Sequence, residues 1–311
     1  MPFALVFPGQ GSQRAGMCRE FFERSPVVRG VFSRASGVLG WDVAGACFSD
    51  DPAALASTAV TQPALFVAEA AALAAFREAG VGTPACAAGH SLGEYTALHA
   101  AGAIGLEEGA RLVAARGRYM ARAAAANPGA MAAVVGASRD VVAAAIARAG
   151  LDAALWIANL NAPDQVVVSG EVAAVDRLAA AAGELGFRKV VRLRTAGAFH
   201  SPLMAAAAGE FAYVLENTAI ADPAFPVVTN ACAVPAVTAA RLRADLARQM
   251  TVPVRWEESV RAMAAAGVTA FVELGPGDTL ARLIRRIVPG AAVAGVGRPG
   301  DLDDALALCR N

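Results

Sequence analysis

Residues 85–93, Ala85-Cys86-Ala87-Ala88-Gly89-His90-Ser91-Leu92-Gly93, decide how the rest of the chain is read. The small apolar run Ala85 to Ala88 predicts a short strand, and a serine framed by two glycines follows it at the spacing of a nucleophile elbow. Glycine on both sides suits a tight strand-to-helix turn, where backbones approach closely and side chains would obstruct. Leu92 to Ala101 predicts a helix leaving that turn. Ser91 then stands at a helix start, where free amide hydrogens and the positive end of the dipole favour a developing oxyanion. That makes Ser91 a candidate nucleophile. The competing reading is a glycine-flanked turn with a solvated serine, since the pentapeptide arises readily by chance in a chain with 30 glycines.

Strand and helix signals alternate outward from this turn. Phe3 to Phe7 predicts a strand that breaks at Pro8-Gly9-Gln10-Gly11-Ser12-Gln13. Ala64 to Ala79 repeats apolar residues at helical spacing and stops at Gly80. Leu106 to Ala125 predicts a long helix, with Glu107 four residues before Arg111 as a supporting charge pair. From about Ala130 to Arg194 the rhythm changes. Met131 to Val135, Leu155 to Ala158, Gln165 to Ser169 and Lys189 to Leu193 read as strands, with helices at Ser138 to Ala149, capped by its serine, and at Glu171 to Leu185. That order, βαββαβ, is the ferredoxin-like pattern. Pro226 to Val228, Ala270 to Glu273 and Ala292 to Val296 are further strands separated by helices. These elements imply an α/β fold. An α/β hydrolase-like core with a parallel sheet takes residues 1–127 and 199–311, and a ferredoxin-like subdomain is inserted at 128–198.

The 311 residues suffice for a substantial interior. Lys and Arg total 27 against 27 Asp and Glu, with no basic run, which argues against a dedicated nucleic-acid binder. The longer apolar runs read as broken by charges before they could span a bilayer, and Met1 to Gln13 carries no basic leader, so neither membrane span nor signal peptide is expected. Five cysteines, Cys18, Cys47, Cys86, Cys232 and Cys309, share no metal-ligand spacing. They read as scattered reduced thiols of a cytoplasmic protein, with no metal site.

A serine hydroxyl needs a base, and only three histidines are available. His90 adjoins Ser91 in the turn, so its side chain diverges from the serine's, and His99 lies eight residues along the following helix, too far to reach back. His200, in Gly197-Ala198-Phe199-His200-Ser201-Pro202, follows the last strand of the insert and is the favoured general base, against a turn histidine satisfied by backbone groups. Arg116 shares a helix face with Leu112, Val113, Tyr119 and Met120. A cation on an apolar face either snorkels to water or grips a ligand carboxylate with its guanidinium fork.

Together these residues resemble the malonyl-CoA:acyl carrier protein transacylase family, which also supplies the acyltransferase domains of polyketide synthases. The resemblance runs along nearly the whole chain. It rests on Phe7-Pro8-Gly9-Gln10-Gly11-Ser12-Gln13, Thr61-Gln62-Pro63-Ala64-Leu65, Gly89-His90-Ser91-Leu92-Gly93-Glu94-Tyr95, Arg116-Gly117, Asn159-Leu160-Asn161-Ala162-Pro163, Gly197-Ala198-Phe199-His200-Ser201-Pro202-Leu203-Met204, Pro253-Val254-Arg255-Trp256 and Glu273-Leu274-Gly275-Pro276-Gly277. It implies that Ser91 takes the acyl group and His200 shuttles the proton, with the histidine oriented by backbone carbonyls, one of them at Gln249, and no acidic third member. It implies an oxyanion held by the backbone amides of Gln10 and Leu92. Arg116, braced by Gln62, would pair with the malonyl carboxylate, and Phe199 and Met120 would line the substrate. Leu92 and Phe199 resemble malonyl-selective members, although Phe199 also reads as core packing and Gln10 and Gln62 as turn and helix-start polar groups. The implied partners are malonyl-CoA and an acyl carrier protein, with no nucleic acid, no membrane and no cofactor, and a monomer is expected. The rival readings are transfer of another acyl unit, an acyl-carrier-protein hydrolase on the same scaffold, and a non-catalytic carrier-docking subunit.

Overall fold

The computed structural model describes residues 1–310. In chain order its strands are β1 (Phe3–Phe7), β2 (Cys86–Gly89), β3 (Gly129–Val135), β4 (Leu155–Ala162), β5 (Gln165–Glu171), β6 (Lys189–Arg192), β7 (Val227–Val228), β8 (Pro235–Ala236), β9 (Ala270–Leu274) and β10 (Ala292–Val296). Six of them form one sheet in the order β10-β9-β1-β2-β7-β8. Each neighbouring pair is parallel except β7 with β8. Every side chain of β1 is buried, as expected of a parallel strand covered by helices on both faces. Because these strands run the same way, the chain leaves β1 at Pro8, β2 at His90 and β7 at Thr229 on one edge of the sheet, where α/β proteins place their ligands.

The other four strands form an antiparallel sheet in the order β4-β5-β3-β6, with helices Arg139–Arg148 and Val172–Ala180 packed on it around Val134, Val142, Leu155, Val168 and Leu178. The sheet is tied to the segment just before helix Trp256–Ala265 through backbone bonds on either side of Asn159: Val254 N–H donates to the Ala158 carbonyl at 2.8 Å and Leu160 N–H to the Val254 carbonyl at 2.9 Å. Register shifts between Ile157 and Asn159, and between Leu160 and Ala162, kink β4 where it meets this segment.

Four details differ from the sequence reading. The helix expected to run to Leu185 ends at Ala180, before Gly183 and Gly186. Ser138 occupies the N-cap of its helix but makes no side-chain cap bond. Glu107 pairs with Arg34 rather than Arg111, which turns to Glu108. Arg34 reaches both Glu107 oxygens, at 2.6 and 3.0 Å, a forked contact that an i,i+4 partner does not match. Finally, helix Thr58–Glu78 is long and apolar enough to cross a membrane, contrary to the reading that charges break every such run. Its apolar window is 83% buried against protein, because it packs between helices Pro26–Leu39 and Leu106–Ala126.

Candidate active site

Gly89 and Gly93 are required by close approach: a Cβ on Gly89 would collide with the Gly93 carbonyl group, and one on Gly93 with the Phe7 carbonyl. Between them Ser91 adopts φ 53°, a left-handed conformation that non-glycine residues avoid and that the surrounding structure must enforce. Asn230, just beyond β7, supplies that constraint. Its Oδ1 accepts from Ser91 N–H and its Nδ2 donates to the Gly89 carbonyl, both at 2.6 Å, so one amide staples the two arms of the elbow.

His200 is also left-handed, at φ 56°, and is held by Ser201, whose hydroxyl donates to the Ala198 carbonyl at 2.7 Å and accepts from Leu203 N–H at 3.3 Å. Its Nε2 lies 2.7 Å from Ser91 Oγ, and its Nδ1 lies 2.9 Å from the Gln249 carbonyl. Gln249 caps the C-terminus of helix Ala239–Arg248, so a helix-end carbonyl is free to accept from Nδ1–H. That fixes the tautomer and leaves the Nε2 lone pair facing the serine proton. Burial, and then the Arg116 charge, push the imidazole down to about 3, so it waits neutral and able to accept. The other histidines are occupied: His90 Nε2 meets Asn161 Oδ1 at 2.8 Å, and His99 Nδ1 meets the Ile104 carbonyl at 3.1 Å.

Arg116 is wholly buried. Its Nη1 donates to Gln62 Oε1 at 2.9 Å, its Nη2 to Gln249 Oε1 at 2.8 Å and to Ser91 Oγ at 3.2 Å, and the guanidinium sits 5.3 Å from the centre of the Tyr95 ring. Nε has no partner, and among the described residues no carboxylate pairs with the group. Burial lowers its affinity for the proton, while the charge of nearby Glu94 works the other way.

Gln10, Gln62, Ser91, Met120, Phe199 and His200 line one cavity of about 500 Å³, within the range of small-molecule sites. Gln10 donates its side-chain amide to Thr58 at 3.1 Å. Among the described residues its backbone N–H, like that of Leu92, donates to no protein group. The Leu92 side chain belongs to the core and not to the cavity wall, so of the two residues read as selective only Phe199 borders the acyl space. Arg116 and Gln249 lie just behind the wall.

Comparisons with known proteins give the family of the chain as a whole. Residues 4–299 match the acyl transferase domain family. A malonyl CoA-acyl carrier protein transacylase of Bacillus subtilis is 36% identical over 304 residues, covering 97% of this chain and 96% of its own. The chain belongs to the malonyl CoA-acyl carrier protein transacylase family. The Coxiella burnetii transacylase structure superposes with a TM-score of 0.96 at 35% identity, over 100% of this chain and 98% of that one. A malonyl-transacylase solved in complex with a type II PKS acyl-carrier protein gives 0.94 at 37% identity, over 99% of each chain.

Two residues of this transacylase fold were given no role by the sequence reading. Glu94, wholly buried one turn after the nucleophile, accepts from Gln249 Nε2 at 2.5 Å and from Asn230 N–H at 3.3 Å. Burial raises its carboxyl to about 7, against the pull of those donors. A carboxylate in the first turn of the helix that leaves the elbow was the available signal. Asn230 meets the elbow across 139 residues, a distance over which no local pattern speaks.

Proposed function

We propose that this chain moves a malonyl group from coenzyme A to the thiol of an acyl carrier protein through an ester on Ser91. The carrying observation is Arg116, a buried cation without a carboxylate whose Nη2 lies 3.2 Å from the Ser91 oxygen. A malonyl ester on that oxygen ends in a carboxylate a few bonds away. Its arrival gives the guanidinium the charge-assisted partner it lacks in exchange for the serine contact.

Ser91 Oγ accepts from Arg116 and directs its own proton to His200 Nε2. As Oγ attacks the thioester carbon, the proton passes to Nε2, and the unpartnered N–H groups of Gln10 and Leu92 receive the oxyanion. Collapse breaks the carbon–sulfur bond, and His200 returns the proton to the departing sulfur. The carrier thiol then repeats the sequence in reverse, giving its proton to His200 and taking the acyl carbon from Oγ. Every atom moved belongs to the serine, the histidine or the two thioesters, so the chemistry calls for no metal or redox group. Five unpaired thiols fit a reducing cytoplasm, and both halves of the site come from one chain, which suits a monomer.

Incubating the protein with malonyl-CoA and measuring its intact mass tests the reading. The expected result is one malonyl adduct on Ser91 that discharges to carrier protein and persists in buffer alone. Discharge to water at the same rate would favour the hydrolase.

A further inference from the structure

The Gln249 side chain is committed on both ends. Its Nε2 donates to the Ser91 carbonyl at 2.8 Å and to Glu94 Oε2 at 2.5 Å, while its Oε1 accepts from Arg116 Nη2 at 2.8 Å. These partners dictate the amide's orientation. A guanidinium only donates and a backbone carbonyl only accepts, so a flipped amide would set NH2 against guanidinium and oxygen against oxygen. Meanwhile the backbone carbonyl of Gln249 orients His200. One residue thus touches both the base and the cation.

We propose that Glu94 is a positioning residue for transfer: by holding the Gln249 amide, its carboxylate keeps the His200 and Arg116 halves of the site in a single register. Glu94 is itself fixed from its other side by Asn230 N–H, and Asn230 staples the elbow. The chain of contacts therefore closes on the nucleophile. Without an acceptor at position 94, one Nε2 hydrogen is orphaned in the interior and only the Ser91 carbonyl and Arg116 remain to hold the Gln249 amide at its angle. Arg116 then keeps Gln62, while its second side-chain brace, Gln249, is held less firmly. A substrate that needs the guanidinium feels this most, and a neutral acyl group feels only what reaches His200. The inference rests on Arg116 as partner of the malonyl carboxylate.

The test is kcat/KM for Ser91 acylation by malonyl-CoA and by acetyl-CoA in the full chain, for wild type, Glu94→Met and Glu94→Gln. Methionine fills the space without an acceptor; it should lower the malonyl value about 30-fold and the acetyl value about threefold, a roughly tenfold fall in the ratio. Glutamine keeps an amide oxygen for the 2.5 Å bond and gives up only the longer 3.3 Å contact from Asn230 N–H, a loss that bears on both substrates alike, so it should hold the ratio within about twofold of wild type. Equal losses on both substrates, or a Glu94→Gln ratio as low as that of Glu94→Met, would overturn the proposal. So would a Glu94→Met chain that cannot fold while Glu94→Gln folds, since the acceptor at position 94 would then be a structural element. A wild type without preference for malonyl-CoA is a separate failure, visible before any variant is made, and it sinks the reading of Arg116 itself.

Discussion

The two sheets face the same cavity with different chemistry. The largely parallel sheet delivers Ser91, Asn230 and the Gln10 loop at strand ends, and helices packed on it bring Gln62, Arg116 and Gln249. The antiparallel sheet presents Met131 from β3, Asn159 and Asn161 from β4, and Gln165 and Val167 from β5. Strands that end together converge their loops on one point, which is what a nucleophile and its oxyanion donors require, while the base His200 stands on the segment that returns from the antiparallel sheet. A strand seen side-on offers only every second residue, as Asn159 with Asn161 and Gln165 with Val167 do, and so builds a wall. The expected division is chemistry from the first sheet and containment from the second.

The heaviest blow to that division falls on the elbow. Ser91→Ala should abolish the malonyl adduct with an unchanged melting temperature, because alanine and serine carry the same Cβ at φ 53°. His200→Ala should slow transfer by about 10²-fold or more, the usual loss for a positioned acid/base. Intact-mass and transfer assays read both, and an adduct retained by Ser91→Ala would end the assignment.

Arg116→Ala comes next. It strands the malonyl carboxylate without its charged partner in a dry site, a cost of about 2 to 5 kcal/mol in transition-state binding. Acetyl transfer has no such contact to lose, so the ratio of kcat/KM for malonyl-CoA over acetyl-CoA should drop by a comparable factor. A normally melting variant with the wild-type ratio would return Arg116 to the role of a packed stem.

How much of this was readable follows from the range of each signal. The elbow announces itself because its glycines and serine are adjacent in sequence, and Arg116 because a cation interrupts an apolar helical face. His200 was reached by elimination among three histidines. The two-residue strand Pro235–Ala236 is too short for any periodicity to register. Glu107 had a plausible helical neighbour in Arg111, yet Arg34, 73 residues away, fits its carboxylate as a fork. The polar contacts behind the site, Asn230 to the elbow and Glu94 to Gln249, join residues separated by 139 and 155 positions and become visible only once the sheet is assembled.

The depressed His200 basicity gives a smaller effect, read in stability. The unfolded imidazole titrates near 6.5 and the folded one at about 3. Between those values the unfolded state binds the extra proton, so this group costs the fold stability progressively as pH falls below about 6.5. His200→Ala lacks the group in both states. Thermal melts of the two proteins between pH 7.5 and 4.5 should therefore show wild type losing ground to the variant as the solution is acidified. A pH-independent difference between them would mean that His200 titrates normally in the folded protein.

The smallest effect is expected where the antiparallel sheet reaches across to the elbow. Asn161 Oδ1 accepts from His90 Nε2–H at 2.8 Å, and burial already depresses the His90 proton affinity, so the ring is a neutral donor. Asn161→Ala leaves that donor facing the cavity, where water can take the place of the lost acceptor, at a cost of about 1 kcal/mol in stability. The backbone bonds of Ala158 and Leu160 with Val254 remain, and Ser91 is still stapled by Asn230, so the wall should stay in place and the nucleophile keep its aim. Malonyl transfer should then fall by less than about tenfold, far short of the loss from His200→Ala. Denaturant melts and kcat/KM on one preparation give both numbers. A stable Asn161→Ala protein as slow as His200→Ala would place chemistry in the second sheet and dissolve the division between the two.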